Sequence, residues 1–322
     1  MRTRRLGQTD LELTTIGLGA WAIGGPWLLG WGPQDDEESI RTILAAIDRG
    51  INWIDTAPIY GHGHSEQIVG KALKQTSEKP FIATKCGLIW DKNSERICCL
   101  KKESIRKECE QSLKRLGADV IDLYQIHWNQ PPEDIEQAWE ELTRLKEQGK
   151  VRNIGVSNFN VSQLKLIGKI HPVASVQPPY SMLRRDIEED ILPYCAKNNI
   201  GVIVYSPMQK GLLTGKFDKK RIADLPESDH RRNDRQFHEP NLSATLDLVE
   251  KLRTIAGRNS ITVAQLALAW VLRRPEVTAA IAGARKPQQI EETAAASEIT
   301  LSEDDLQEIE ELLARRNERI KT

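Results

Sequence analysis

Apolar and polar positions along the chain follow two alternating periods. Short apolar runs recur at TTIGLG (14–19), INWIDT (51–56), PFIATK (80–85), DVIDLYQIH (119–127), VRNIGVS (151–157), VASVQ (173–177), GVIVYS (201–206) and TAAIAG (278–283). Between them lie longer segments whose apolar residues return every third or fourth position. The first kind suits buried strands and the second amphipathic helices. PPEDIEQAWEELTRLKEQGK is the clearest helix, with Ile135, Ala138, Trp139, Leu142 and Leu145 on one face and charge on the other. Regular alternation of this kind predicts parallel strands with crossover helices, hence an α/β fold of the (β/α)8 TIM-barrel type. An open doubly wound sheet is the rival, but its G-x-G-x-x-G turn is poorly matched by GLGAWAIGG after the first strand.

The flanks complete the picture. RRLGQTDLEL (4–13) reads as an N-terminal hairpin, and LSEDDLQEIEELLARRNERIKT as an extra C-terminal helix with a Ser302–Asp305 capping pattern. The whole of 1–322 is expected to be a single barrel domain. Segments 21–34, 86–100 and 208–240 interrupt the period after strands, which predicts loops on the rim where barrel enzymes work.

Composition narrows the class. The formal net charge is -1, which leaves no basic footprint for nucleic acid. No apolar run approaches the roughly 20 residues that span a bilayer. MRTRRLGQTDLEL has no apolar stretch behind its basic residues, so no secretory signal is visible and a cytoplasmic protein is expected. The cysteines, Cys86, Cys98, Cys99, Cys109 and Cys195, are odd in number and form no C-x-x-C, against a disulfide framework or zinc site. No obligate protein partner is evident.

Four side chains close consecutive strands or begin their loops: Asp55, Tyr60, Lys85 and His127. A free tyrosine, pKa about 10, is a slow acid at neutral pH. A nearby ammonium is expected to lower that pKa, and a carboxylate to hold the ammonium in place. A neutral imidazole can orient a carbonyl oxygen beside the phenol. Taken singly, Asp55 suits a helix cap, Lys85 a strand-end charge and His127 a core histidine. Taken together they form an acid with its activator, orienter and binder. None can supply a hydride, so a cofactor must.

WIDTAPIYGHGHSE, FIATK and DLYQIH together resemble the aldo-keto reductase superfamily, over about residues 4 to 300 and in the family's order. The resemblance implies an NAD(P)H-dependent carbonyl reductase with Tyr60 as the acid, tuned by Asp55 and Lys85, and with His127 orienting a small carbonyl substrate. Trp21 and Trp128, just beyond strand ends on the active rim, are expected beside Tyr60 and His127 in the substrate pocket. GKVRNIGVSNF implies Ser157 and Asn158 at the nicotinamide amide, with Gln177, while Ala20, Trp21 and Asp55 fall on the nicotinamide side. Tyr205 matches the aromatic that stacks on the nicotinamide. Ser206, Pro207, Met208, Gly211, Leu212 and Lys216 fall at the pyrophosphate, and Gly283, Ala284, Arg285, Gln289 and Glu292 at the adenosine end. Many relatives carry Lys-Ser where this chain has Gly283-Ala284, and arginine where it has Gln289. Those basic residues hold the NADP 2′-phosphate, so Arg285 is expected to compensate. NADPH is the favoured cofactor and NADH the alternative.

Two other classes compete with this reading. NADP-binding subunits that sense redox state or regulate membrane channels share this fold and tetrad; they carry an N-terminal extension, and here only a few residues precede the hairpin. Barrel hydrolases need a second carboxylate at a strand end, and Asp55 has no such mate. Smaller features carry plain readings. His62 and His64 suit a polar loop leading to Ser65 as helix cap better than a metal site. Cys98-Cys99 suits a surface turn. Trp53, Trp139 and Trp270 suit the core, and Trp27, Trp31 and Trp90 the rim. Arg231, Arg232 and Arg235 suit solvated charge, or a place across the cofactor or near an anionic substrate.

Overall fold

The computed structural model describes residues 1–27 and 29–320. Strands β1 (Thr3–Arg5) and β2 (Glu12–Thr14) pair antiparallel as the predicted hairpin. The barrel is built from β3 (Ile16–Gly19), β4 (Trp53–Asp55) and β5 (Phe81–Cys86). A short antiparallel hairpin, β6 (Leu88–Trp90) with β7 (Arg96–Cys98), then intervenes. The barrel resumes with β8 (Ile121–Ile126), β9 (Val151–Ser157), β10 (Ser175–Gln177), β11 (Gly201–Val204) and β12 (Ala279–Gly283). All barrel pairings are parallel, and β12 closes on β3 with Gly283 opposite Gly19. The predicted (β/α)8 barrel is therefore correct; most strands are shorter than predicted by a residue or two at an end, while β9 keeps the predicted bounds and β5 runs one residue further, to Cys86. Tyr205 and Ser206, for instance, lie beyond β11.

The helices are α1 (Asp36–Asp48), α2 (His64–Leu73), α3 (Lys102–Leu116), α4 (Ile135–Glu147), α5 (Val161–Ile167) and α6 (Ile191–Lys197). They continue with α7 (Lys219–Ala223), α8 (Asn241–Arg258), α9 (Val263–Leu272), α10 (Pro287–Ala294) and α11 (Glu303–Arg319). In α4 the face seen in the sequence is the buried one, and Trp139 hides entirely between helix and strand. Ser302 caps α11 by accepting the Asp305 N–H. Ser65 is not a cap: α2 begins at His64 after Gly63, and the Ser65 hydroxyl instead donates to the Ala20 carbonyl at 2.9 Å. Among the described residues no single helix is long and apolar enough to cross a membrane.

The N-terminal hairpin plugs the end of the barrel away from the predicted site. Leu6, Leu11 and Leu13 pack with Trp53, Ala83, Leu123 and Ile203 inside the strands. Gly7 must be glycine there, since its φ is +54° and a Cβ would lie 2.5 Å from the Gly201 nitrogen. With this end filled by apolar side chains, only the opposite rim is open for chemistry.

Strand β5 is gripped from behind on both sides of Lys85. Side chains alternate along a strand, so Thr84 faces the helices while Lys85 faces inward. The Thr84 hydroxyl donates to Glu66 of α2 at 2.7 Å, and Arg115 of α3 donates to the same carboxylate at 2.6 Å. Just past the strand, the Gly87 N–H donates to Glu108 of α3 at 2.9 Å, and Ser104 donates to the other Glu108 oxygen at 2.9 Å. Burial pushes the Glu108 carboxyl from 4.5 up to about 7, against the pull of Ser104, Gly87 and Arg115 and with a smaller push from Glu66. An unfolded glutamate ionises near 4.3. Below that pH both states are protonated and Glu108 is neutral to stability. Between about 4.5 and 7 only the folded state keeps the proton, so stability falls as pH rises; above 7 the full cost persists, roughly 3 kcal/mol. Glu108→Gln keeps an acceptor for Gly87 without the charge. It is expected to stabilise the protein by about 1–3 kcal/mol at pH 8 and to change little at pH 4.5, measured by urea unfolding at both pH values. Equal effects at the two pH values would exclude titration of Glu108 as the cause.

Candidate active site

The four residues meet at the open rim. The Lys85 ammonium donates to both Asp55 oxygens, at 2.8 and 2.7 Å, to the Thr56 carbonyl at 3.0 Å and to the Tyr60 hydroxyl at 3.2 Å. It is fully buried, and Asp55, Tyr60 and His127 are nearly so. The Tyr60 ring stands edge-on to the His127 ring, with centroids 5.8 Å apart. The loop that carries Tyr60 is held against the first strand's loop. A Cβ on Gly61, whose φ is +62°, would lie 2.0 Å from the Gly24 carbonyl oxygen, so only glycine permits the approach.

Electrostatics at the tetrad correct one expectation. The phenol of Tyr60 is pushed well above 10, first by burial and then by the Asp55 carboxylate and the Tyr205 phenol. A lowered pKa was expected from Lys85. Both oxygens of Asp55 neutralise that ammonium at contact distance, so its field at the phenol is largely cancelled and desolvation wins. Burial also lowers the Lys85 pKa from 10.5, opposed by Asp55. His127 is driven well below 6.5 by burial, with Lys85 and Arg96 adding to the effect, and is neutral at physiological pH. The site thus holds a protonated phenol and a neutral imidazole side by side.

A second cluster adjoins the first. Gln177 at the end of β10 donates to Asp55 at 2.8 Å. Ser157 donates to the Gln177 carbonyl at 2.8 Å, and Asn158 to the Ser157 hydroxyl and the His127 carbonyl, both at 3.0 Å. The Tyr205 hydroxyl donates to the Asn158 side chain at 2.9 Å. After Tyr205 the backbone enters left-handed conformations at Ser206, Gln209, Lys210 and Gly211, a concentration of strain of the sort found at ligand-binding segments.

One cavity of about 790 Å³ joins these clusters. Its wall takes in Trp21, Tyr60, His127 and Trp128, then Ser157, Asn158, Gln177 and Tyr205. It continues along Ser206, Pro207, Met208, Gly211 and Lys216 to Gly283, Ala284, Arg285, Gln289 and Glu292. Three expected residues stand off it. Lys85 lies beneath Tyr60 and Asp55. Ala20 is buried and uses its backbone, donating to the Asp55 carbonyl at 2.8 Å. Leu212 turns away into a small core with Leu225, Phe237 and Leu242.

The rim loops are more ordered than their composition suggested. Within 208–240 lie α7 and several 3-10 turns over that small core. Arg231 is buried rather than solvated: it pairs with Asp229 at 2.5 Å and stacks 4.6 Å over Trp31 and 5.2 Å over Phe217. Trp21 and Trp27 pack against Tyr60 at centroid distances of 4.9 and 6.0 Å. Trp53, Trp139 and Trp270 are core residues as expected. Cys98 lies in β7, half-buried, not on a turn. Among the described residues no group of His, Cys, Asp or Glu could hold a metal. Sequence reasoning missed Thr56, whose carbonyl holds Lys85, and also Leu88, Arg96, Lys210 and His230 on the cavity wall.

Arg285, expected to await a phosphate, is engaged with the first rim loop. It donates to Gln34 at 2.7 Å and to the Trp31 carbonyl at 3.1 Å, and also to the Pro33 carbonyl. Gln289 accepts the backbone N–H groups of Arg285 and Lys286, and Lys216 pairs with Glu292.

Comparison with known proteins settles the kinship. The model of the aldo/keto reductase family matches residues 15–314. The chain belongs to that family. It is 40% identical to the aldo-keto reductase YhdN of Bacillus subtilis, over 97% of this chain and 94% of that one. It is 38% identical to the NADH-specific methylglyoxal reductase of Escherichia coli, over 98% of this chain and all (100%) of that one. Among solved structures, the glycerol dehydrogenase AKR11B4 from Gluconobacter oxydans superposes with a TM-score of 0.89 at 41% identity, covering 98% of this chain and 95% of that one. The family places this aldo-keto reductase among the oxidoreductases.

Proposed function

We propose that this aldo-keto reductase reversibly reduces an aldehyde or ketone to the alcohol, using a reduced nicotinamide dinucleotide. The observation that carries this reading is the Tyr60 hydroxyl, held protonated by burial and touched by the Lys85 ammonium, at the wall of a cavity large enough for dinucleotide and substrate. The residues present fit such a cofactor. Ser157, Asn158 and Gln177 offer donors and acceptors for a carboxamide, and Tyr205 a ring beside them. A Cβ on Gly283 would meet only the Gly19 oxygen, at 4.0 Å, so the backbone leaves room for a ligand there.

When bound there, the dinucleotide supplies a hydride to the carbonyl carbon. The chain's own residues do the rest. His127, neutral, hydrogen-bonds the carbonyl oxygen and fixes it beside Tyr60. Tyr60 gives that oxygen its proton. Lys85 then steadies the phenolate, and Asp55 keeps Lys85 charged and in place. Trp21 and Trp27 shield the site from water on one side.

The E. coli relative is named NADH-specific and a Schizosaccharomyces pombe relative NADP(+); for this chain both forms are expected to serve. A free charge-assisted contact to the 2′-phosphate would favour NADPH by roughly 10–150-fold. Arg285 must first surrender three acceptors of the 31–34 loop, so kcat/KM for NADPH is expected to exceed that for NADH by less than about tenfold. Arg285→Ala should weaken both, because it frees the loop. The test is multiple turnover of a simple aromatic aldehyde with each dinucleotide, followed by its absorbance. Binding without turnover would instead support a redox-sensing or regulatory subunit. A preference of a hundredfold or more that vanishes only in Arg285→Ala would put the guanidinium on the phosphate.

A further inference from the structure

The β6–β7 hairpin carries an arginine whose setting the reaction does not use. Arg96 sits opposite Trp90 in the ladder and lines the same cavity as Tyr60 and His127. An exposed arginine on a hairpin is ordinarily a solvated charge. Four other cations on this cavity wall have a carboxylate partner: Lys210 with Asp234 at 2.7 Å, Arg231 with Asp229 at 2.5 Å, Arg184 with Asp186 at 3.7 Å and Lys216 with Glu292. Arg221 and Arg285 donate to backbone carbonyls, and Arg235, toward the far end of the chain's 208–240 loop, shares the unpaired state of Arg96 among the described residues. Arg96 has neither an ion pair nor a hydrogen-bond partner for its side chain among the described residues. The same cavity wall carries the apolar side chains of Trp21, Trp27, Leu29, Leu88 and Trp128, and Leu88 belongs to the strand that pairs with that of Arg96. The carboxylate at this end, Asp55, is already taken by Lys85 and Gln177. Its charge also reaches the reacting centre, since it is among the causes that hold His127 neutral.

We propose that Arg96 recognises the substrate, and that the preferred carbonyl compound carries a carboxylate separated from its carbonyl group by an apolar body. This rests on the carbonyl-reduction reading above. The aromatic wall takes the apolar body, the carbonyl oxygen lies between Tyr60 and His127, and the guanidinium meets the far carboxylate as a planar fork. An excess of cations along the cavity also favours entry of anions. The hairpin ladder fixes where the arginine emerges, which is the rigidity that selection by size and charge requires.

The experiment compares 4-formylbenzoate with its methyl ester, which has the same ring and a similar electron-withdrawing group but no charge. In the native protein kcat/KM is expected to be about tenfold higher for the acid, mostly through KM, with the advantage shrinking as salt rises. Arg96→Gln should bring the acid-to-ester ratio near one, Arg96→Lys should keep part of it, and Arg96→Glu should invert it. Equal kcat/KM for acid and ester in the native protein, or a preference that survives Arg96→Gln, overturns the proposal. If neither aldehyde is turned over, carbonyl reduction fails as a reading, and titration with 4-formylbenzoate followed by tryptophan fluorescence still decides the anion site. Binding lost in Arg96→Gln upholds it, and no binding by the native protein overturns it.

Discussion

Tyr60→Phe is expected to lower kcat for carbonyl reduction by about 10²–10⁴-fold or more, with dinucleotide affinity nearly unchanged. The phenylalanine ring fills the same space against Trp21, Trp27 and His127, so the pocket keeps its shape. Lys85 loses one acceptor but retains both Asp55 oxygens and the Thr56 carbonyl, so the buried charge stays satisfied. The loss therefore reports the missing proton. His127 is no substitute, because burial and neighbouring cations keep it unprotonated. Near-normal kcat in this variant would remove Tyr60 from the role of acid. The pH profile is a second readout. An acid whose pKa lies well above 10 stays protonated throughout the working range, so kcat/KM for reduction should be flat between about pH 6 and 9. A fall with a midpoint near neutrality would mean that the phenol is lowered in the working complex, as Lys85 alone would do.

That contrast shows where sequence reading stops. The barrel was legible because apolar periodicity reports burial, and eight strands separated by helices allow few arrangements. The tetrad was legible because its members fall at strand ends, which a barrel must bring to one rim. The direction of the Tyr60 shift was not, since it depends on how completely Asp55 cancels Lys85 at 2.7–2.8 Å. Glu66 and Glu108 look like ordinary polar residues of amphipathic helices; only the fold shows them buried and holding Thr84 and Gly87. The β6–β7 hairpin escaped because the apolar ends of GLIWDKNSERICC, on either side of a polar centre, are too short for a period, although Asp91 in it organises the turn by accepting the N–H groups of Asn93 and Glu95. Arg285 was placed by analogy at the adenosine end. Its partners lie about 250 residues away in sequence, and nothing in either segment alone announces the contact.

The Lys85–Asp55 pair should separate activity from stability. Lys85→Met removes the cation that steadies the phenolate and, among the described residues, leaves a buried carboxylate with only Gln177 as its side-chain donor. Loss of one partner of a buried ion pair costs about 3–5 kcal/mol, and kcat should fall by orders of magnitude as well. Asp55→Asn leaves the ammonium with carbonyl and hydroxyl acceptors only. Burial then favours its neutral form, so the electrostatic support for Tyr60 is lost here too. In the double variant neither group carries an unmatched charge. Its unfolding free energy should recover most of what Lys85→Met lost, while its activity stays about as low as that of either single variant, because the two residues serve one function and their losses do not add. Urea unfolding and single-turnover reduction, measured on the same four proteins, test both halves. If the activity losses multiply in the double variant, the two residues act separately on the reaction. If stability falls further instead of recovering, the pair is held by packing rather than by its charges.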